Sequence, residues 1–157
     1  MLSTKVAGEL GVRYLSTMFE YLNSRFKCNG SFYLDPDQNI RDAIRINNVP
    51  NDFGVYIVSK ISDLKESIIY IGKAGSINND GSLKKQGIRK RLGNKQGGIA
   101  RTEYFLNYMK RNKTSLRFEW YVTFNQDLCL LPSLVEAELI QKYYNEYKKL
   151  PELNKSF

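Results

Sequence analysis

Two tyrosines, a lysine, an arginine and a carboxylate are spaced along this sequence in a way that could break a phosphodiester bond. They are Tyr56, Tyr70, Lys73, one arginine of the run Arg89-Lys90-Arg91, and Glu136. Phosphodiester hydrolysis needs an in-line nucleophile, a base to activate it, and positive charge for the non-bridging and leaving oxygens. The chain has no histidine, so the base must be a carboxylate, a lysine or a tyrosine. Tyr56 is the candidate. A phenol titrates near ~10, so it needs positive charge beside it to act at neutral pH. Lys73 and a metal ion are expected to supply that charge, because hairpin pairing would set Tyr56 beside segment 70–73. Tyr70 either contacts the scissile phosphate or packs on the sheet.

Two choices stay open on spacing alone. Arg89 and Arg91 lie two apart on a short helical stretch and face different ways, and either could clamp a phosphate bidentately. Glu136 and Glu138 are likewise two apart and cannot point together. A single carboxylate leaves most of an octahedral Mg²⁺ shell to water and substrate oxygens, which is a one-metal arrangement. Gly54 and Gly72 read as positions where a side chain would obstruct an approaching group. Tyr104, Phe105, Trp120 and Tyr121 stand at core spacing and read as packing.

These residues need a scaffold, and the apolar periodicity outlines one. Leu2, Val6, Leu10, Tyr14, Met18 and Leu22 repeat at helical spacing, with Gly8 and Gly11 weakening the first turns so that the helix could begin near Val12. Asp35-Pro36 signals a second helix start, running through Ile40, Ala43 and Ile44 to Asn47-Asn48. Phe53 to Ser59 and Ile68 to Gly72 read as paired strands. Segment 74–87 is rich in Gly, Asn and Ser and reads as a loop. Helices are expected over Ile88–Gly93 and Thr102–Met109 with a break at Gly97-Gly98, a third strand over Leu116–Thr123, and a helix opened by Pro132-Ser133. The expected fold is α+β: a small three-stranded antiparallel sheet flanked by helices. Residues 1–50 form an N-terminal helical extension and 51–157 the chemical domain.

At 157 residues, the chain is of one-domain size. No apolar run approaches a membrane span, and the N-terminus lacks the order of a secretion signal. Cys28 and Cys129 are far apart and without ligand spacing, which argues against a disulfide framework or zinc and fits a cytoplasmic protein. The net charge is +8, and it is concentrated. Residues 84–113 carry ten Lys/Arg against Glu103 alone, whereas residues 1–50 carry six against five Asp/Glu. Such a stripe suits a polyphosphate backbone. Lys84, Lys85, Arg89, Lys90 and Arg101 are read as backbone-positioning contacts or surface charge.

Gly54-Val55-Tyr56, Tyr70-Ile71-Gly72-Lys73, Arg91-Leu92, Glu136-x-x-Leu139-Ile140 and Pro151-x-x-Asn154 occur in the order of the GIY-YIG nuclease motifs. The chain resembles that superfamily over roughly residues 51–157. A lone GVY or YIG would say little; the ordered set says more. The resemblance implies a three-stranded antiparallel sheet and hydrolysis of DNA with one bound metal, usually Mg²⁺ (or Mn²⁺). It favours Arg91 over Arg89 and Glu136 over Glu138, and it adds Asn154, which either bonds within the site or fixes the tail. The Lys73–Arg91 and Ile140–Pro151 stretches are longer than is usual in the family, in places where DNA-contacting or dimerising additions would fall.

Tyr56, Tyr70, Lys73, Arg91, Glu136 and Asn154 are thus the expected catalytic set, with Glu136 the metal ligand. The expected function is a DNA endonuclease of the type II restriction kind, cutting double-stranded DNA as a homodimer, since a double-strand cut needs two sites. Alternatives are a structure-specific or mobile-element endonuclease and a DNA-binding module of the same fold without catalysis. A basic RNA-associated protein would explain the charge and none of the motifs.

Overall fold

A computed structural model describes residues 4–63, 65–84, 86–96 and 99–157, without the side chains of 4–10, 12, 95 and 96. Leu2, Lys85, the Gly97-Gly98 break and the Val6 and Leu10 side chains therefore lie outside the described residues. The elements run α1 (Thr4–Arg25), β1 (Asn29–Leu34), α2 (Ile40–Ile46), β2 (Phe53–Ser62), β3 (Lys65–Ala74), α3 (Ile88–Leu92), β4 (Lys95–Gln96), β5 (Ile99–Ala100), α4 (Arg101–Asn112), β6 (Ser115–Phe124) and α5 (Pro132–Tyr147).

The fold is α+β, built on an open antiparallel sheet in the order β1-β6-β2-β3, with β4-β5 a separate small ribbon. Alternation along the strands divides the sheet into two apolar faces. Val55, Ile57, Ile71 and Tyr121 point to one face, under Met18 and Leu22 of α1 and Val135, Leu139 and Ile140 of α5. Tyr56, Val58, Phe118, Trp120 and Val122 point to the other, under Ile40 and Ile44 of α2, Ile88 and Leu92 of α3, and Phe105, Tyr108 and Met109 of α4. The result is three layers. No helix among the described residues is long and apolar enough to cross a membrane.

Two expectations are corrected. The main sheet has four strands, not three, because Asn29–Leu34 pairs along β6 and places Phe32 opposite Phe118, their rings stacked at 4.9 Å. The N-terminal segment is therefore not purely helical. Gly30 crosses the Trp120 ring, where a Cβ would stand 2.4 Å from a ring carbon. Secondly, Asp35-Pro36 begins a turn, closed by Gln38 N–H donating to the Asp35 carbonyl at 3.0 Å. The helix starts four residues later, where the Asn39 side chain caps Arg41 N–H at 2.8 Å.

A bulge between Val58 and Ser59 in the β2–β3 pairing turns Ile69 and Tyr70 to the same face. Beyond α5 the chain returns along the outer edge of β3. Leu153 N–H donates to the Ile69 carbonyl at 2.8 Å, and the Asn154 amide brackets Ile71, accepting from its N–H at 3.0 Å and donating to its carbonyl at 2.8 Å. The tail thus occupies part of an edge that would otherwise expose unpaired backbone groups.

Candidate active site

The β2–β3 register sets Tyr56 directly opposite Gly72. The missing side chain at Gly72 is what admits two tyrosine rings there: an added Cβ would come within 2.6 Å of the Tyr70 ring and 2.7 Å of the Tyr56 ring. The rings lie 5.8 Å apart, tilted by 34°. Gly54 has a different reason, since a Cβ there would run into the Tyr121 carbonyl oxygen of β6 at 2.0 Å.

Arg101, the first residue of α4, completes this pair. Its Nη1 donates to Tyr56 Oη at 3.0 Å, and its guanidinium carbon lies 5.6 and 6.0 Å from the Tyr56 and Tyr70 ring centroids. Arg101 is 1% exposed and Tyr56 0%, so the expectation that Arg101 is a surface or phosphate-contacting cation is corrected. One helical turn separates it from Phe105, and together with Tyr108 and Met109 it forms the buried face of α4. That i, i+4, i+7, i+8 spacing was the signal that could have placed it inside. Tyr70 is partly exposed, so of the two hydroxyl-bearing rings it is the one that meets the surface. Burial, reinforced by Tyr56, pushes its phenol up to about 12, while Arg101 and Arg91 act in the opposite sense.

Lys73 lies on the other face, because successive strand residues alternate. The expectation that it supplies charge to Tyr56 is corrected, and Arg101 stands in that position instead. Lys73 Nζ donates to Ser133 Oγ at 2.8 Å. Ser133 is in the first turn of α5, begun by Pro132, and Glu136 follows three residues on, along the same helix face. Burial holds the Glu136 carboxyl above the usual carboxylate range, and Lys73 and Arg91 pull it back. Glu138 points elsewhere and is paired with Arg25 at 2.6 Å.

Arg91 lies near enough for its charge to lower both the Tyr70 and the Glu136 pKa, in each case as the smallest influence. Its helix, α3, is held firmly for so short an element. Ile88 and Leu92 are buried, Ile88 and Arg89 N–H donate to the Asp52 and Pro50 carbonyls at 2.9 and 3.0 Å, and a Cβ at Gly87 would overlap Asn51 O at 1.7 Å. Arg89 is anchored away from the cluster through Nε, 2.7 Å from the Val49 carbonyl. Lys84 and Lys90 are exposed, and Lys85 lies outside the described residues. Asn154 does not enter the cluster, because both ends of its amide are engaged by the Ile71 backbone.

The arrangement is therefore a tyrosine pair backed by a buried guanidinium on one face of the sheet, and on the other Lys73 held at the start of the helix that carries Glu136, with the charge of Arg91 acting on Tyr70 and Glu136. Tyr70, Lys73, Arg91 and Glu136 are all partly exposed. Among the described residues no three His, Cys, Asp or Glu side chains group to hold a metal. A lone carboxylate fits Mg²⁺ or Mn²⁺ when substrate phosphate and water complete the shell, and a divalent ion would relieve the desolvation that Glu136 suffers. The buried Glu119 is not a second site: it accepts from Tyr121 Oη at 2.5 Å and pairs with Arg117. Compared with models of protein families, with characterised proteins and with solved structures, the chain matches none of them.

Proposed function

We propose that this protein is a metal-dependent DNA endonuclease of the GIY-YIG kind, hydrolysing phosphodiester bonds in double-stranded DNA. The observation that supports the reading is the seating of the Tyr56 and Tyr70 rings over Gly72, with Arg101 bonded to Tyr56 and Lys73 held at the start of the helix that carries Glu136. A phosphate seated on Arg91 would have a potential proton acceptor on one side and a metal-binding carboxylate on the other.

In the proposed reaction Arg91 binds non-bridging phosphate oxygens bidentately, which a planar guanidinium does better than an ammonium. Lys73, kept in place by Ser133, adds a second positive charge for the transition state. The complete burial of Tyr56 makes Tyr70 the group that meets the nucleophilic water. With Tyr56 starting as the phenolate, the water proton passes to the Tyr70 oxygen as the Tyr70 proton passes to Tyr56, the terminal base, which ends as the neutral phenol. Arg101 stabilises negative charge on the Tyr56 oxygen. Glu136 would hold an Mg²⁺ or Mn²⁺ ion, which would supply Lewis-acid stabilisation of the charge developing on the phosphate. The 3′-oxygen leaves and takes a proton from solvent. Asn154 positions rather than reacts, bracketing Ile71 next to Gly72.

In this reading the enzyme is of the type II restriction kind, working as a homodimer with one ion per site; a structure-specific or mobile-element endonuclease would use the same chemistry. One observation favours a non-catalytic DNA-binding module instead, namely that Tyr56 has no exposed surface. Incubating supercoiled plasmid with the protein and Mg²⁺ or Mn²⁺ separates these readings. Discrete linear fragments are the restriction-type result, and cutting only at branched or mobile-element substrates is the result for the other nuclease. Binding without cleavage under either ion would leave the module.

A further inference from the structure

The basic surface does not end at the proposed cleavage site. A groove of about 600 Å³ opens between α2 and α3, lined by Arg41 and Arg45 of the first helix, Arg89 and Lys90 of the second, and Gln86 and Asn94 at its ends. We propose that this groove is a second backbone-binding site, which takes phosphates of the same DNA duplex next to the one seated on Arg91. The inference rests on the endonuclease reading for the identity of its occupant, and on the groove itself for its chemistry.

Four cations line the groove, and no carboxylate does. Arg41 and Arg45 are four apart and so project from one side of α2. Arg45 also meets Asp42 at 3.2 Å, but their side chains are 78% and 62% exposed. An ion pair that open to water is weak and gives way readily to a phosphate, which offers arginine a better bidentate partner. Arg89 is already oriented by its Nε bond to the Val49 carbonyl, so less of its side-chain freedom remains to be lost on binding. None of these groups presents a pattern for reading bases, and cations without base-edge contacts position a duplex without specifying its sequence.

Continuity decides in favour of a duplex over a small phosphorylated molecule. The five-residue helix α3 presents Arg89 and Lys90 to the groove, and Arg91 is the next residue along it. A polyanion threading both sites would be gripped on two sides of one rigid helix. It would also give the N-terminal segment a task that its balanced charge had hidden: α2 supplies two of the groove's four cations.

The test uses the full chain and an oligonucleotide duplex, with binding followed by fluorescence anisotropy across a salt series in EDTA so that no cutting occurs. Each phosphate contact contributes about −0.9 to the slope of log affinity against log salt. Arg41→Ala/Arg45→Ala should reduce the magnitude of that slope by about 2 and weaken binding roughly tenfold or more at low salt. Arg41→Lys/Arg45→Lys should keep the slope, since the two charges remain. A double alanine variant with unchanged affinity and slope overturns the groove, as does a wild-type protein that does not bind duplex. A wild-type protein that binds with the full slope yet never cleaves would overturn the endonuclease reading and leave the groove standing.

Discussion

Replacing Arg101 with Met removes a buried positive charge from above two tyrosines while roughly keeping side-chain volume. On the stability side, the variant loses a hydrogen bond from a charged donor, 3.0 Å long, that contributes about 1.5–3 kcal/mol. It also loses two ring contacts at 5.6 and 6.0 Å, of about 0.5–2 kcal/mol each. Set against these is the desolvation of a guanidinium only 1% exposed, itself several kcal/mol. The terms oppose one another, so urea unfolding should shift by only a few kcal/mol. Activity has no such offset. Removing one preorganised group that stabilises charge in a reaction is worth about 2.7–4 kcal/mol, so single-turnover cleavage should fall by ~10²–10³. Arg101→Lys keeps the charge but not the fork and should fall between the two. Duplex affinity should hold, because Arg101 does not reach the surface. An Arg101→Met protein that is folded and cleaves within about threefold of the wild type would refute the reasoning and leave Arg101 a packing residue.

Further outcomes follow from other contacts. Gly72→Ala should cost about 1–3 kcal/mol in denaturant unfolding and depress cleavage further than that loss explains, because both tyrosine rings, 2.6 and 2.7 Å from the new Cβ, must move. Asn154→Ala should lose about 1–3 kcal/mol of stability with duplex affinity unchanged, since its two bonds go to the Ile71 backbone. Burial raises the Glu136 pKa in the folded protein above the ordinary 4.5, so its ionised form opposes folding. Glu136→Gln should therefore stabilise the metal-free protein at neutral pH, with the gain fading as the pH falls through the raised pKa and gone below 4.5 in a thermal melt series.

The sequence carried the long elements plainly. The strands containing Tyr56, Tyr70 and Trp120 alternate without ambiguity, and α5 shows its apolar face at Val135, Leu139 and Ile140. Short and tertiary features were hidden. In β1 only Phe32 and Leu34 are buried, and Asn29-Gly30 at its start carries turn residues, so a strand stabilised by its neighbour β6 left little local trace. Asp35-Pro36 obeyed its local chemistry by making a turn, and the helix waited for Asn39. Motif spacing singled out Tyr70, Lys73, Arg91 and Glu136 as candidates, but the face of the sheet each serves depends on register. The strand period sends Lys73 away from Tyr56. Arg101 was hidden for a different reason: an arginine in a basic stripe looks like surface unless its helical phase with Phe105 is counted.

The measurement that bears most directly on the central claim is Mg²⁺-dependent single-turnover cleavage of a duplex by the wild type and by Glu136→Gln, with affinity measured in parallel. The account predicts that the variant binds DNA within about threefold of the wild type while its rate falls at least ~10³-fold, the several kcal/mol contributed by a Lewis-acid ion. A variant that cuts at the wild-type rate, or a wild-type protein that cuts with neither Mg²⁺ nor Mn²⁺, would contradict it.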